Sequence, residues 1–319
     1  MQVILGSSGV IGKHVAFELS RMKEPVRLVA RNPVALSDTN EVFKGNLLVE
    51  ADVMNAIAGC TVAYVTVGLP YHSKVWERDW PILMQHVVHA CIANSCKLVF
   101  FDNVYAYGKV EGWMTEQTPM LATSRKGLVR KRIAEMIFDA VEKKGLQAMI
   151  VRAPDFYGPH TPLSFLNLMV FERMLKHKSP QVMLTAKRLH SFIYTPDAGR
   201  ATAFLGNQSS AFNQIWHLPT DPLTMNLEEW VQIIGKQLSV DLSIQVLPKW
   251  ALQFLGIFIS PIKESMELLY QNEFDYLFSS DKFFKAFPEF GYTNYKDGIK
   301  NTLDSYFLDH SSANIENSK

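Results

Sequence analysis

Cysteine is scarce in this chain: Cys60, Cys91 and Cys96 are the three in 319 residues. None stands in a CxxC or other metal-ligand spacing, which excludes a disulfide framework or a zinc ribbon. The set reads as buried thiols of a cytoplasmic protein, with no metal expected. Net charge is nearly absent too, since 32 basic against 31 acidic residues leave +1. No global field draws the chain to nucleic acid or an anionic membrane, so neither is expected as a partner. No apolar run reaches the roughly 20 residues that a membrane-spanning helix needs. The most apolar stretch, 250–262, is expected to be a core helix, with a partner interface as the alternative. Its stripe Trp250, Phe254, Phe258 has four-residue spacing and reads as core. The N-terminus has no basic segment, and Gly6 and Gly9 interrupt its apolar run, so no signal peptide is expected. There is no internal repeat and no low-complexity linker.

What is present is 48% apolar residues, enough for a substantial core. Short apolar runs alternate with amphipathic stretches. Strands are predicted at 1–5, 26–30, 41–45, 61–67, 97–101 and 147–152, with 104–107 extending the fifth. Helices are predicted from about 10 to 22 and over 50–58, 76–94 and 124–144. Runs such as Thr61 to Val67 lack polar alternation, as strands buried on both faces should. The pattern predicts an α/β fold: a doubly wound parallel sheet of Rossmann type, over residues 1–153 and completed by about 190–217. Beyond Arg152 the rhythm breaks and helices dominate, at 225–238 and 294–307, with Thr195 capping another that has Pro196 in its first turn. Residues 154–308 are expected to form a smaller, mainly helical substrate lobe, and 309–319 a flexible tail.

Gly6-Ser7-Ser8-Gly9-Val10-Ile11-Gly12 joins the first strand to the first helix as GxxGxxG. Gly6 permits the turn, Gly9 lets the backbone approach a pyrophosphate, and Gly12 lets the helix sit close to the sheet. The helix N-terminus then offers free N–H groups and a positive dipole end to phosphate. The second strand ends in Ala30-Arg31, where an NAD site usually has Asp or Glu for the ribose 2′-hydroxyl. A guanidinium instead suits a 2′-phosphate, so NADP(H) is expected over NAD(H).

With these motifs the sequence resembles the extended short-chain dehydrogenase/reductases of the NAD(P)-dependent epimerase/dehydratase family. Gly45-Asn46-Leu47 resembles the family's Gly-Asp-Leu segment beside the adenine. Val67-Gly68-Leu69-Pro70 falls where its loop after the fourth strand packs on the cofactor. Residues 151–159, ending Tyr157-Gly158-Pro159, resemble its Arg-Pro-x-x-Tyr-Gly-Pro segment, and Phe192 to Asp197 its strand-to-helix step. The resemblance implies a catalytic Ser/Thr, Tyr and Lys. Alignment through Ala106-Tyr107-Gly108 puts Asn103 at the Ser/Thr position. Alignment of the helix through Lys131 and Glu135 retains Lys131, which would also hold the nicotinamide ribose, and puts Gly127 at the Tyr position; Lys126, Arg130 and Arg132 nearby leave a slip by one residue open. Glycine moves no proton. On an extended strand Asn103, Tyr105 and Tyr107 would share a face, which makes Tyr105 the candidate substitute phenol.

Asp155 and His160 follow the sixth strand at the end where such sheets bind ligands, so both are expected to contact substrate. His86 and His89 lie one turn apart but read as surface residues, and Lys187-Arg188 as a solvated pair. Two functions follow: an oxidoreductase acting on a carbonyl or hydroxyl of a small metabolite, such as a sugar nucleotide, or a cofactor-binding sensor or scaffold without turnover. The family resemblance also implies a homodimer through helices 76–94 and 124–144.

Overall fold

The computed structural model describes the backbone of residues 1–316 and the side chains of residues 1–308. The chain divides into two compact units. The first comprises Met1–Lys109, Met114–Ala153 and Ala198–Leu218. Its sheet has seven parallel strands. In chain order these are β1 (Gln2–Leu5), β2 (Val26–Ala30), β3 (Glu41–Lys44), β4 (Val62–Val65), β5 (Lys97–Asn103), then Ala148–Ala153 and Ile215–His217. Across the sheet the order is Ile215–His217, Ala148–Ala153, β5, β4, β1, β2, β3. The order reverses direction at β1 and β4, the switch point where doubly wound sheets leave a crevice beyond the strand ends.

The inner strands β1 and β4 are buried along their whole length, which is why they read as unbroken apolar runs. Helices α1 (Val10–Arg21), α2 (Glu50–Ile57), α3 (Ser73–Ala93) and α4 (Arg125–Lys144) flank the sheet. Helix α1 buries Ile11, Val15, Ala16 and Leu19, a stripe of helical period. Helix α3 starts three residues before the predicted position, because the His72 side chain accepts from the Lys74 N–H and caps it. Ser124 caps α4 through the Gly127 N–H, and Gly145 ends it in the left-handed region. The three cysteines are buried free thiols.

Residues 104–107 do not extend β5. Asn103 Oδ1 accepts the Tyr105 N–H at 3.0 Å, and Tyr105–Tyr107 forms a single 3₁₀ turn. Asn103, Tyr105 and Tyr107 therefore do not share a strand face.

The second unit contains Val110–Trp113, Pro154–Asp197 and the chain from Pro219 onward. It has two small parallel pairs, Asp155–Tyr157 with Phe192–Tyr194 and Gln181–Met183 with Gln245–Leu247. Its core is aromatic: Tyr157, Phe192 and Tyr295 surround the buried Trp230 with ring centroids 4.7–5.2 Å away. Trp230 is carried by the Leu227–Leu238 helix, which starts in a capping box between Asn226 and Glu229. The last helix is Tyr295–Glu316, so it continues past the predicted end at 307 into the expected tail; residues 317–319 lie outside the described residues.

The stripe at 250–258 is not core. In the Lys249–Phe258 helix, Trp250, Phe254 and Phe258 are exposed, and Leu252 and Gly256 are the buried residues. Hydropathy and period identified one face of this helix, and among the described residues that face is left exposed.

Candidate functional site

The glycine loop leaves β1 through a turn that only glycine fits. Gly6 has φ +104°, and a Cβ there would lie 2.4 Å from the Val67 nitrogen. Gly12 is required by packing, since its Cβ would fall 2.5 Å from the Gly6 carbonyl oxygen. Gly9 is different. Its backbone is extended (φ −74°, ψ 162°), and an added Cβ would meet nothing closer than 3.4 Å. Neither strain nor internal packing calls for glycine at this exposed position, but a ligand passing over the backbone would. No side chain caps α1, so its first N–H groups face outward with the positive end of the dipole. The loop is held by the Gly6 and Ser7 N–H groups on the Val29 carbonyl and by Ser8 Oγ on the Asn32 carbonyl. These residues fit a pyrophosphate-bearing dinucleotide.

Around the loop, Val67 is half-buried against Gly6 and Gly68 is exposed beside it. Arg31 is exposed at the end of β2, next to the segment that Ser8 engages. Asn46 donates its backbone N–H to Asp52 and accepts the Leu48 N–H on its side chain, so it shapes the turn after β3.

Helix α4 carries the largest surprise. Lys131 is 37% exposed and stands 3.9 Å from Glu135, an i,i+4 surface pair. The basic residues that face inward lie one position earlier. Lys126 is fully buried, donates from Nζ to Ser73 Oγ at 3.0 Å, and sits 4.5 Å over the Tyr71 ring. Arg130, one turn on, lies 4.0 Å over the Trp80 ring and 4.6 Å over Trp76, with Nε 3.5 Å from Asp102. The physical reason is the helix period. Val129, Ile133, Ile137 and Ala140 fix the buried face, and Lys126 and Arg130 fall on it, whereas Lys131 is rotated about 100° from Arg130. This register also gives Gly127 a structural role, since a Cβ there would come 2.6 Å from the Tyr105 carbonyl oxygen. The apolar stripe was the signal that could have chosen between the two registers.

Asp102 is the buried carboxylate of this region, between Arg130 and Arg152. Burial pushes its carboxyl up more than the two guanidiniums lower it, and burial pulls Arg130 down. Nη1 of Arg130 and Nη1 of Arg152 have no hydrogen-bond partner. Arg152 lies 4.4 Å over the Tyr107 ring, and the Tyr107 hydroxyl meets His217 Nε2 at 2.7 Å. Burial raises the Tyr107 phenol despite Arg152. Tyr105 stacks on Trp76, and its hydroxyl is 3.5 Å from that of Tyr71. Two phenols and one buried lysine thus converge within the first unit.

In the second unit Asp155 Oδ2 is bound to His190 Nε2 at 2.9 Å, and the His190 ring is stacked between Phe192 and Tyr276. His160 has φ +50°, a left-handed turn after Gly158. His86 meets the Leu47 carbonyl and His89 meets Glu50, and no cluster of metal-ligating side chains occurs among the described residues. Arg188 lies 3.8 Å from Asp275. No helix among the described residues is long and apolar enough to cross a membrane.

Comparison with known proteins agrees with this architecture. A search of curated proteins finds no match. Among solved structures, dTDP-glucose 4,6-dehydratase of Streptomyces venezuelae with NAD and TYD bound superposes with a TM-score of 0.80 at 16% identity, covering 98% of each chain. UDP-glucose 4-epimerase of Thermus thermophilus in complex with NAD gives 0.76 at 16% identity, over 96% of this chain and 99% of that one. UDP-glucose 4-epimerase of Thermotoga maritima with UDP-glucose gives 0.78 at 15%, over 97% and 99%. At such identities the likeness establishes the fold and nothing finer. Residues 2–216 match the NAD dependent epimerase/dehydratase family, and with the glycine loop, the seven-stranded parallel sheet and these superpositions, the chain belongs to that family.

Proposed function

We propose that this chain is an NADP(H)-dependent oxidoreductase acting on a hydroxyl or carbonyl of a small metabolite, with a proton-transfer site unlike that of its relatives. The observation that carries it is the cluster of Tyr71, Tyr105 and Lys126, where the two hydroxyls are 3.5 Å apart and the ammonium lies over the Tyr71 ring. A bound nicotinamide supplies the hydride donor or acceptor. Gly9 and the N–H groups of Val10, Ile11 and Gly12 would cradle the pyrophosphate, with Ser7 and Ser8 shaping the loop. Arg31 would pair with the 2′-phosphate, and Asn46, Val67 and Gly68 would flank the adenosine side. Tyr105, relayed through the Tyr71 hydroxyl, would take the proton from a substrate hydroxyl or return it to a carbonyl oxygen. Lys126 would place a positive charge beside the phenol pair, over the Tyr71 ring. The Asn103 amide would orient the substrate oxygen. In this reading Lys131 leaves the site and Lys126 with Arg130 occupy the inward register. Asp155 and His160 are the proposed substrate contacts of the second unit, and the sugar nucleotides named for the similar structures are the first substrates to try. The expected homodimer through α3 and α4 remains a proposal, tested by sedimentation.

A second reading is a cofactor sensor without turnover. It is favoured by Arg130, which is committed to Asp102, Trp76 and Trp80, and by Asn103 Oδ1, which is committed to the Tyr105 N–H.

Fluorescence titration with NADPH and NADH separates these points. NADPH should bind at least about tenfold tighter, and Arg31→Glu should abolish that preference, as expected for a charge-assisted pair. Equal or tighter NADH binding would remove the Arg31 argument. With a substrate found from a panel, Tyr105→Phe should lower kcat by about a hundredfold with unchanged NADPH affinity. Full turnover in that variant would end the phenol assignment. Cofactor binding with no turnover of any panel member would favour the sensor.

A further inference from the structure

Helix α3 ends in a closure that brings two cysteines together. After the cap residue Asn94, Ser95 takes φ +51° and the chain turns back on the helix. The Ser95 N–H donates to the Ile92 carbonyl at 3.2 Å, and the Cys96 N–H donates to the Cys91 carbonyl at 2.8 Å. This pair of bonds is the helix-ending motif that sets the side chain three residues before the cap against the one two residues after it. In most helices that contact is between apolar side chains. In α3 both positions are cysteine.

The backbone bond between Cys96 and Cys91 limits how far apart the two residues can stand. With standard bond lengths and angles, it holds their Cα atoms within about 6.7 Å of each other. A disulfide bridges Cα atoms up to about 6.8 Å apart. The side chains meet as well. The Cys91 thiol is hydrogen-bonded with Cys96, and this bond, more than burial, holds the Cys91 thiol well above its ordinary range. Cys60 is buried in the same region but is engaged elsewhere. Its sulfur stands 3.8 Å from the Ala56 carbonyl oxygen, 3.9 Å from that of Ala58 and 3.7 Å from Arg27 Nη1.

The pair lies one layer from solvent. Cys91 and Cys96 are buried, but Ala93 and Ser95 between them are exposed. Asn94 holds the last turn through Nδ2 on the Ala90 carbonyl at 2.9 Å. Terminal turns of this kind open locally at far less cost than global unfolding. Such an opening admits a molecule the size of hydrogen peroxide, whereas a tripeptide disulfide needs a wider one. Cys96 directly precedes β5, so the pair sits at the amino end of the sheet, and the glycine loop leaves the carboxyl end of β1.

We infer that Cys91 and Cys96 form a site of reversible oxidation, which a hydroperoxide closes to an intrachain disulfide. One sulfur attacks the peroxide: an S–O bond forms, the O–O bond breaks, and the leaving oxygen takes the thiol proton. With hydrogen peroxide that product is water. The second sulfur then attacks the first: the S–S bond forms, the S–O bond breaks, and the hydroxide leaves as water with the second thiol proton. Each sulfur gives one electron to the peroxide, and a dithiol reductant returns both. The bridge ties the last turn of α3 to the start of β5. The inference does not depend on the chemistry proposed at the other end of the sheet.

The test is thiol mapping of the full chain by mass spectrometry. Trypsin cuts after Arg78 and Lys97 and nowhere between them, so Cys91 and Cys96 share the peptide 79–97, while Cys60 lies in 45–74. The reduced protein is treated with hydrogen peroxide, with circular dichroism confirming that it stays folded, then unfolded, alkylated with iodoacetamide and digested. Peptide 79–97 should lose both alkylation sites together and carry an internal disulfide that dithiothreitol removes, while Cys60 stays alkylated. In Cys91→Ala the dithiothreitol-reversible protection of Cys96 should disappear. If both thiols of the folded wild type stay alkylatable at peroxide levels that oxidise free glutathione, the inference is overturned. Oxidation of one of the two alone, or a bridge joining 79–97 to 45–74, would overturn it as well.

Discussion

In α4, Lys126 and Arg130 are buried under aromatic rings, whereas in the Lys249–Phe258 helix four large apolar side chains face outward. Both helices show a clear apolar stripe, and in both the residues that break the inside-outside rule are the informative ones. A buried basic group costs free energy unless it is paired or stacked, and a contiguous exposed face of large apolar side chains is uncommon on a free surface. The first helix holds its basic groups with Ser73, Asp102 and the rings of Tyr71, Trp76 and Trp80. Among the described residues, the second shows for its rings the edge contact of Phe254 with Phe258.

The contrast can be broken most directly with tryptophan. Trp230→Ala, in the aromatic core of the second unit, should cost about 3–5 kcal/mol in urea unfolding. Arg130→Ala should cost about 3 kcal/mol, because it takes one guanidinium from buried Asp102 and opens space beneath Trp76 and Trp80. A loss under 1 kcal/mol would mean that Arg130 is free to serve a ligand instead.

A smaller effect concerns pH. Burial raises the Asp102 carboxyl above its ordinary range. The native state therefore keeps this proton in a window where the unfolded chain has released it. The contribution to stability is complete below the ordinary carboxylate range and is lost as pH rises through the raised value. Thermal midpoints measured across that window should slope downward with pH, and Asp102→Asn should remove that share of the slope. An unchanged slope would show that Arg130 and Arg152 keep the carboxylate ionised. The smallest effect is expected at Trp250→Ala, within about 0.5 kcal/mol of wild type despite loss of a large ring. A cost near that of Trp230→Ala would show that the outward face is covered within the chain.

Much of this was legible beforehand. The parallel sheet, the order of its first elements and the glycine loop followed from apolar period and from three glycines between a strand and a helix. Those are local signals, and the backbone obeys them locally. The position of Lys131 was not recoverable from motif spacing, because two four-residue spacings one residue apart, Lys126/Arg130 and Gly127/Lys131, both end in a basic residue. Tyr105 was placed on a strand that ends at Asn103, since a side-chain hydrogen bond to the backbone competes with the ladder and leaves no period to read. Trp250, Phe254 and Phe258 were placed in a core because composition reports that a face is apolar, but not whether anything lies against it.

By itself the sequence determined the Rossmann-type sheet and the glycine loop between its first strand and first helix, because each depends on residues that are neighbours in the chain. The tertiary structure alone decided which basic residues of α4 turn inward, that Tyr71 stands beside Tyr105, and that the 249–258 helix shows its aromatic face to the outside. Those outcomes depend on which elements pack against one another, and packing between residues 30 or more apart in sequence leaves no periodic trace in either segment.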